Sequence, residues 1–422
     1  MIMKKTSFYL CAAVALLLMS CSDSDDAVVN GSDENTSWQS VLTVNEQQMV
    51  AHTGDFAFRL LSTEGKAANG GSCVVSPLSA GFLLGMLSDG ARGETQREIV
   101  GALGLGDYDA ATVRAFFSRL SGLVERADGE VTVSTPSALF FNTSGQCRLV
   151  EAYTAGLESD YRATVARCDF GRSDETLAAI NSWASDATSG LIPSLMTTAD
   201  FNPTALFCLL NAVTFDAQWV SPFPEMNTHE GTFRIGDGHT VQIPLMESEA
   251  GEVPFMESSD VAAISLPYNG DYSMVVALPR GGQSVATMAS QLGSGLLQQL
   301  TEQMENVPVH VTLPRFSTES TTDLKVALQE MGVNRAFTGE ADFSGMLGSD
   351  FKGNFAITVK QKVRIDVTEK GTKGAAVTHT AMVTLPEPDS QVKRFEATMP
   401  FVYAIVEHST GAVLFTGIFS GR

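Results

Sequence analysis

Six histidines, His52, His229, His239, His310, His379 and His408, are the side chains best suited to acid–base chemistry at neutral pH. None stands in a pattern that catalysis uses. The chain holds no G-x-S-x-G elbow, no H-E-x-x-H pair, no Walker loop and no Rossmann glycine pattern. His229-Glu230 lacks a second histidine at ligand spacing, and the glycines of 101–106 are in the wrong order to cradle a phosphate. A helix end followed by a turn accounts for them. A Ser/His/Asp triad is assembled in space and leaves no spacing to read, so a hydrolase stays open as an alternative. The six cysteines include no C-x-x-C pair, so no metal is expected. No cofactor is expected either. Cys73 and Cys208 lie in apolar runs and read as small buried hydrophobes, whereas Cys147 and Cys168 form a conceivable disulfide.

The most unusual chemistry lies in residues 371–383. Thr372, Gly374, Ala376, Thr378, Thr380 and Met382 occupy the even positions, all uncharged and mostly small, while Lys373, Val377 and His379 occupy odd ones. One face of this segment can enter a sheet without burying a charge. Pro386, Glu387, Pro388, Asp389 and Ser390 come directly after it and are loop residues. A segment able to be strand or loop suits a switching element; an ordinary hairpin with a long tip is the plainer alternative. Just upstream, Phe355, Ile357, Val359, Val363, Ile365 and Val367 alternate with Lys360, Lys362, Arg364 and Asp366, a period of two that predicts a strand with one buried face. Gln361 falls on the apolar side, where an unpartnered amide costs on the order of 1–3 kcal/mol.

Around these residues, the first half of the chain predicts helices over 45–61, 79–86, 94–103, 110–124, 149–161 and 174–188. The second half predicts strands over 205–215, 261–266, 272–278, 309–313, 356–367 and 401–419, with one late helix over 322–331. Helices first and strands later, without strict alternation, argue an α+β fold. With no repeat and no linker inside the body, residues 45–422 read as one domain. Of 422 residues, 44% are hydrophobic and 18% charged, as a large core requires, and the formal net charge of −21 argues against nucleic-acid binding.

The N-terminus reads as a targeting segment. Lys4 and Lys5 precede an apolar run over 8–19 that is too short to span a bilayer. Residues 1–20 are read as a signal peptide, and Leu18-Met19-Ser20-Cys21 looks like a bacterial lipobox with Cys21 as the lipidated residue. A plain secretory signal is the alternative. Residues 21–44 read as a flexible acidic tether, whose Ser22-Asp23-Ser24-Asp25-Asp26 resembles the surface-export signal of Bacteroidetes lipoproteins. The expected location is the outer membrane, lipid-anchored, at the cell surface or extracellular, with lipid as the one membrane contact.

Taken together in their order, several stretches resemble the serpin family. They are residues 72–79 and 86–95; Ile180-Asn181-Ser182-Trp183 with Thr188-Ser189-Gly190; and Leu210-Asn211-Ala212-Val213-Thr214-Phe215 with Trp219. They continue through Leu266-Pro267-Tyr268, Leu313-Pro314-Arg315-Phe316, Glu369-Lys370-Gly371-Thr372 and residues 395–401. The resemblance implies the serpin fold, helices packed around three β-sheets with an exposed reactive-centre loop, here about 370–392. It implies a monomeric inhibitor, not an enzyme. The loop is cut by a peptidase, then inserts into the central sheet and traps the peptidase as an acyl-enzyme. The partner is a serine peptidase, with a cysteine peptidase as the alternative.

By the same resemblance Glu369, Gly371, Thr372, Gly374, Ala375 and Ala376 form a hinge small enough for insertion. Ser76, Ser79, Asn211, Gln361 and Trp219 form the "shutter" and "breach" of the central sheet. Gln361 stands where many members have histidine, and Lys373 replaces a usual glutamate. The family's spacing puts the cleavable bond after Leu385, but Pro386 is the next residue, which serine peptidases disfavour. Thr384–Leu385, Met382–Val383 and Val383–Thr384 stay open, and all suit an elastase-, chymotrypsin- or subtilisin-like target. A non-inhibitory serpin serving as a binding or surface protein is the alternative.

Overall fold

A computed structural model describes residues 41–127, 131–145, 148–236, 238–348, 356–372 and 392–422. The helices are α1 Val44–Ala67, α2 Pro77–Gly90, α3 Gly93–Ala102, α4 Ala110–Val124, α5 Glu151–Asp160, α6 Ser173–Ala187, α7 Val285–Gln291, α8 Ser294–Glu302, α9 Leu324–Glu330 and α10 Ser344–Leu347. The first strands are β1 Cys73–Val75, β2 Arg126–Ala127, β3 Val131–Ser134, β4 Ser137–Asn142, β5 Thr164–Cys168 and β6 Ala205–Gln218. Then come β7 His229–Arg234, β8 Thr240–Glu247, β9 Gly251–Glu257, β10 Val261–Pro267, β11 Tyr272–Pro279 and β12 Glu305–Pro314. The last are β13 Phe316–Asp323, β14 Ala356–Thr368, β15 Gly371–Thr372, β16 Lys393–Glu396, β17 Phe401–Glu407 and β18 Val413–Phe419.

Local chemistry sets the helix starts. Thr43 and Glu46 form a reciprocal capping box at α1, Ser76 caps α2 with Pro77 in its first turn, and Asp109 caps α4. Nearly every residue of α2 is buried, so this helix runs through the core and not over it. Gly104, with φ 75°, closes the turn after α3, as its glycine-rich sequence suggests.

Two hydrogen-bonded sheets enclose the core. One, of eight strands, runs β13-β14-β15-β6-β3-β2, with β4 pairing β6 and β5 pairing β4. The other, of ten strands, runs β1-β18-β17-β11-β10-β9-β12-β8-β7, with β16 beside β12. The three sheets implied by the resemblance are all represented, because the long strand β12 fuses two of them. Glu305–Val309 pair with β9, and Thr312–Pro314 pair with β8. The main apolar core lies between the sheets and around α1 and α2. A smaller core lies on the opposite face of the eight-stranded sheet, where Leu177, Ile180 and Ala184 of α6 pack on Phe140, Leu210 and Ala212.

Candidate functional site

The eight-stranded sheet is open at one end. Over most of their length β6 and β14 are parallel neighbours, from Ala205 opposite Ala356 to Val213 opposite Val363. Beyond that point they diverge, and β15 lies between them, antiparallel to both. Thr372 faces Ala217 of β6 and Val367 of β14; Gly371 faces Gln218 and Thr368. Gly371 and Thr372, the first two residues of 371–383, are thus already a strand. Below them the two long strands leave a small void of about 20 Å³, lined by Val213, Thr214 and Phe215 on one side and Arg364 and Asp366 on the other.

Gly371 is dictated by space. A Cβ there would sit 2.1 Å from the Ala217 carbonyl oxygen and 2.7 Å from the Gln218 Cα, so only glycine admits this approach. Thr372 is fully buried, and its hydroxyl bonds to the Tyr268 hydroxyl. Trp219 stacks on Tyr268 with ring centroids 4.1 Å apart. Its indole N–H donates to the Thr368 carbonyl at 2.9 Å and its backbone N–H to the Lys370 carbonyl at 2.9 Å. Glu369 is buried; its carboxylate accepts from the Thr228 hydroxyl at 2.8 Å and lies 3.4 Å from the Arg315 guanidinium. These contacts fasten the start of the segment, Glu369 to Thr372, in the open end of the sheet.

Midway down the same strands lies a closed polar cluster. Gln361 is buried on the apolar side of β14, as its register predicts. Its Oε1 accepts from the Ser76 N–H at 2.9 Å, and its Nε2 donates to the Ser76 carbonyl at 2.7 Å and to the Ser79 hydroxyl at 2.8 Å. Ser79 donates to Asn211 Oδ1, and Asn211 Nδ2 reaches the Thr135 carbonyl and the Ser137 hydroxyl. Both donors and the acceptor of the amide are engaged, so its burial carries no unpaired group. No member of this cluster titrates between pH 4 and 9.

The opposite face of β14 departs from expectation. Lys360 occupies an even position, read as solvent-facing, yet its side chain is 7% exposed and its ammonium lies 2.9 Å from Asp200 Oδ1. The connection between α6 and β6 covers it, with Phe201, Leu195 and Met196 buried alongside. The Lys360 hydrogen bond, followed by that of Thr197, draws the Asp200 carboxyl down to about 2. The pair ties the covering segment to β14 where that strand is paired with β6.

The structure therefore brings Glu369, Gly371, Thr372 and Trp219 together at the open end, and Ser76, Ser79, Asn211 and Gln361 together at mid-strand. Gly374, Ala375, Ala376, Met382, Val383, Thr384, Leu385 and Pro386 lie outside the described residues, as do Cys21 and Cys147. Cys73 and Cys208 are buried, and burial pushes their thiols up, to about 11 and about 12. Tyr268, Thr228, Arg315, Lys360 and Asp200 were not singled out as site residues from sequence. Tyr268 and Arg315 sit inside recognisable stretches, but their partners stand 104 and 54 positions away, which no spacing reveals.

Comparison with known proteins agrees with this architecture. A family profile described as Serpin (serine protease inhibitor) matches residues 51–421. A serpin-like protein of Thermococcus kodakarensis is 31% identical over 376 residues, covering 88% of this chain and 85% of its own. Bovine leukocyte elastase inhibitor is 30% identical, covering 88% of this chain and 98% of its own. Among solved structures, human thyroxine-binding globulin complexed with thyroxine superposes with a TM-score of 0.81 at 26% identity, over 89% of this chain and 98% of that one. The native state of the thermophilic serpin tengpin superposes with a TM-score of 0.80 at 26% identity, over 89% and 94%. By profile, by sequence identity and by the pairing of its strands, this chain belongs to the serpin family, whose members are mostly inhibitors of proteases.

Proposed function

We propose that this chain inhibits an extracellular serine peptidase as a suicide substrate. The peptidase serine attacks a carbonyl in the reactive loop, the peptide nitrogen of the next residue leaves with a proton, and the loop remains joined to the enzyme as an ester. The freed loop then extends β15 down the slot between β6 and β14 and carries the peptidase with it.

The observation that carries this reading is the hinge itself. Gly371 and Thr372 already pair with both long strands, so insertion continues an existing strand as it parts the β6–β14 ladder between Val213–Val363 and Ala205–Ala356. The register also bears on the scissile bond. Twelve residues beyond Thr372, residue 384 would come opposite Ala205, the first residue of β6 and twelve residues before Ala217. Eleven beyond, residue 383 would come opposite Ala356, the first of β14. A strand that reaches the far end of β6 and β14 ends at Val383 or Thr384, which is met by cleavage at Val383–Thr384, Thr384–Leu385 or Leu385–Pro386. Cleavage at Met382–Val383 would leave the last positions unfilled. With the lost β6–β14 ladder set against the two ladders gained, a net of about a dozen backbone hydrogen bonds at about 0.5–1.5 kcal/mol each gives roughly 10 kcal/mol, enough to make trapping irreversible in practice.

The partner in this reading is an elastase-, chymotrypsin- or subtilisin-like enzyme, and the inhibitor works as a monomer held at the outer membrane by lipid on Cys21. The likeness to thyroxine-binding globulin favours a second reading, a carrier that traps nothing. Mixing the chain with pancreatic elastase, chymotrypsin, subtilisin and trypsin separates the two. Trapping gives a band at the summed mass on a denaturing gel, lost in Thr372→Arg, which puts a charge in a fully buried hinge position. Loop cleavage without such a band for every enzyme would sink the inhibitor reading.

A further inference from the structure

Away from the slot, a cleft of about 720 Å³ opens where the end of β7, the β9–β10 turn, the end of β11 and β16 meet. Its lining is chemically divided. Arg234, Arg280 and Arg394 contribute three guanidinium groups; Met399 contributes apolar surface, with Pro279 and Phe395 buried behind the lining. Glu396 is the one carboxylate among the lining residues, in a chain with 48 acidic and 27 basic side chains. The local balance is the reverse of the global one.

The three arginines are not equally engaged. Arg280 is held by Glu257 at 2.5 Å, and Arg394 lies 3.8 Å from Glu396. The Arg234 guanidinium meets the Met399 sulfur at 3.5 Å, a weak acceptor, and no carboxylate among the described residues answers it. A guanidinium presents five donors in a fork that suits a planar or tetrahedral anion. The volume falls in the range of small-molecule sites, and the pairing of apolar surface with a few convergent polar groups is their usual chemistry.

We propose that this cleft binds an amphiphilic organic anion, a carboxylate, sulfate or sulfonate carried on an apolar body. Arg234 and Arg394 hold the head group; Met399 takes the body. A small ligand fits better than a long polyanion, because a chain of net charge −21 repels an extended anion beyond the cleft. The site lies against β16 and is independent of whether the slot accepts the loop.

The test is fluorescence titration of the full chain with 8-anilinonaphthalene-1-sulfonate, with decanoate and inorganic sulfate as competitors. The expected result is saturable binding of one dye per chain, displaced by decanoate at far lower concentration than by sulfate. Arg234→Ala combined with Arg394→Ala raises Kd at least tenfold with the melting temperature unchanged, and Met399→Glu does the same through repulsion. No saturable binding by the parent, an unchanged Kd in both variants, or equal competition by sulfate and decanoate would each overturn the proposal.

Discussion

Gln361 shows how much a single side chain decides. Its amide bridges α2 to β14 through three hydrogen bonds, and replacing it by leucine leaves the buried Ser76 N–H without a partner, while the Ser76 carbonyl keeps the Ala80 N–H and the Ser79 hydroxyl keeps Asn211 Oδ1. Each buried group left unpaired costs about 1–3 kcal/mol, so Gln361→Leu lowers unfolding stability measurably in a urea titration. Gln361→His adds a pH dependence that the amide lacks. A buried histidine keeps its neutral form, its folded pKa lies below the unfolded value near 6.5, and stability falls as pH drops through about 6.5. The parent shows no such step from this cluster. Gly371 makes a second residue-scale case. Gly371→Ala drives a methyl into the Ala217 carbonyl, costs about 1–3 kcal/mol, and expels β15, so amide exchange at Thr372 quickens.

At the scale of elements, the connection from α6 to β6 covers the stretch of β14 that is paired with β6, and Lys360–Asp200 is the bond between cover and strand. A loop entering between β6 and β14 has to pass under this connection. Lys360→Met keeps the length of the side chain and removes the tie, so trapping becomes faster by a few-fold in stopped-flow competition with substrate; an unchanged rate would show that the pair does not gate entry. Asp200 has a folded pKa of about 2, below its unfolded value of 3.8, so its contribution is present above pH 4 and is lost as pH falls toward 2. Asp200→Asn removes that acid-side loss, measurable as a flatter stability curve between pH 4 and 2. These elements were unequally legible in the sequence. The period of two in β14 gives the strand and the buried side of Gln361 directly. It misplaces Lys360, because alternation describes one strand and not the segment that covers it. Strand β13 escaped notice because Ser317, Thr318, Glu319, Ser320, Thr321 and Thr322 carry almost no apolar signal; pairing with β14 over its whole length makes it a strand. The side chains that seat Glu369 and Thr372, namely Thr228, Arg315 and Tyr268, come from three connections far apart in the chain and are visible only in three dimensions.

Taken whole, the molecule stores an unfinished sheet. Two long strands lie parallel and paired for most of their length, part at one end, and hold Gly371 and Thr372 between them there. The resemblance carried by scattered short motifs identified this architecture because their order along the chain reflects the order of packed elements. The acidic composition, by contrast, says nothing of the sheet. The central claim is that the cut loop fills the slot, and the most direct measurement is thermal unfolding of the chain before and after its loop is nicked by a peptidase that it does not trap. Insertion worth roughly 10 kcal/mol predicts a rise in Tm of about 10–30 °C, with the nicked fragments remaining associated. A Tm that stays the same or falls after nicking would mean that the loop does not enter the sheet and would contradict the account.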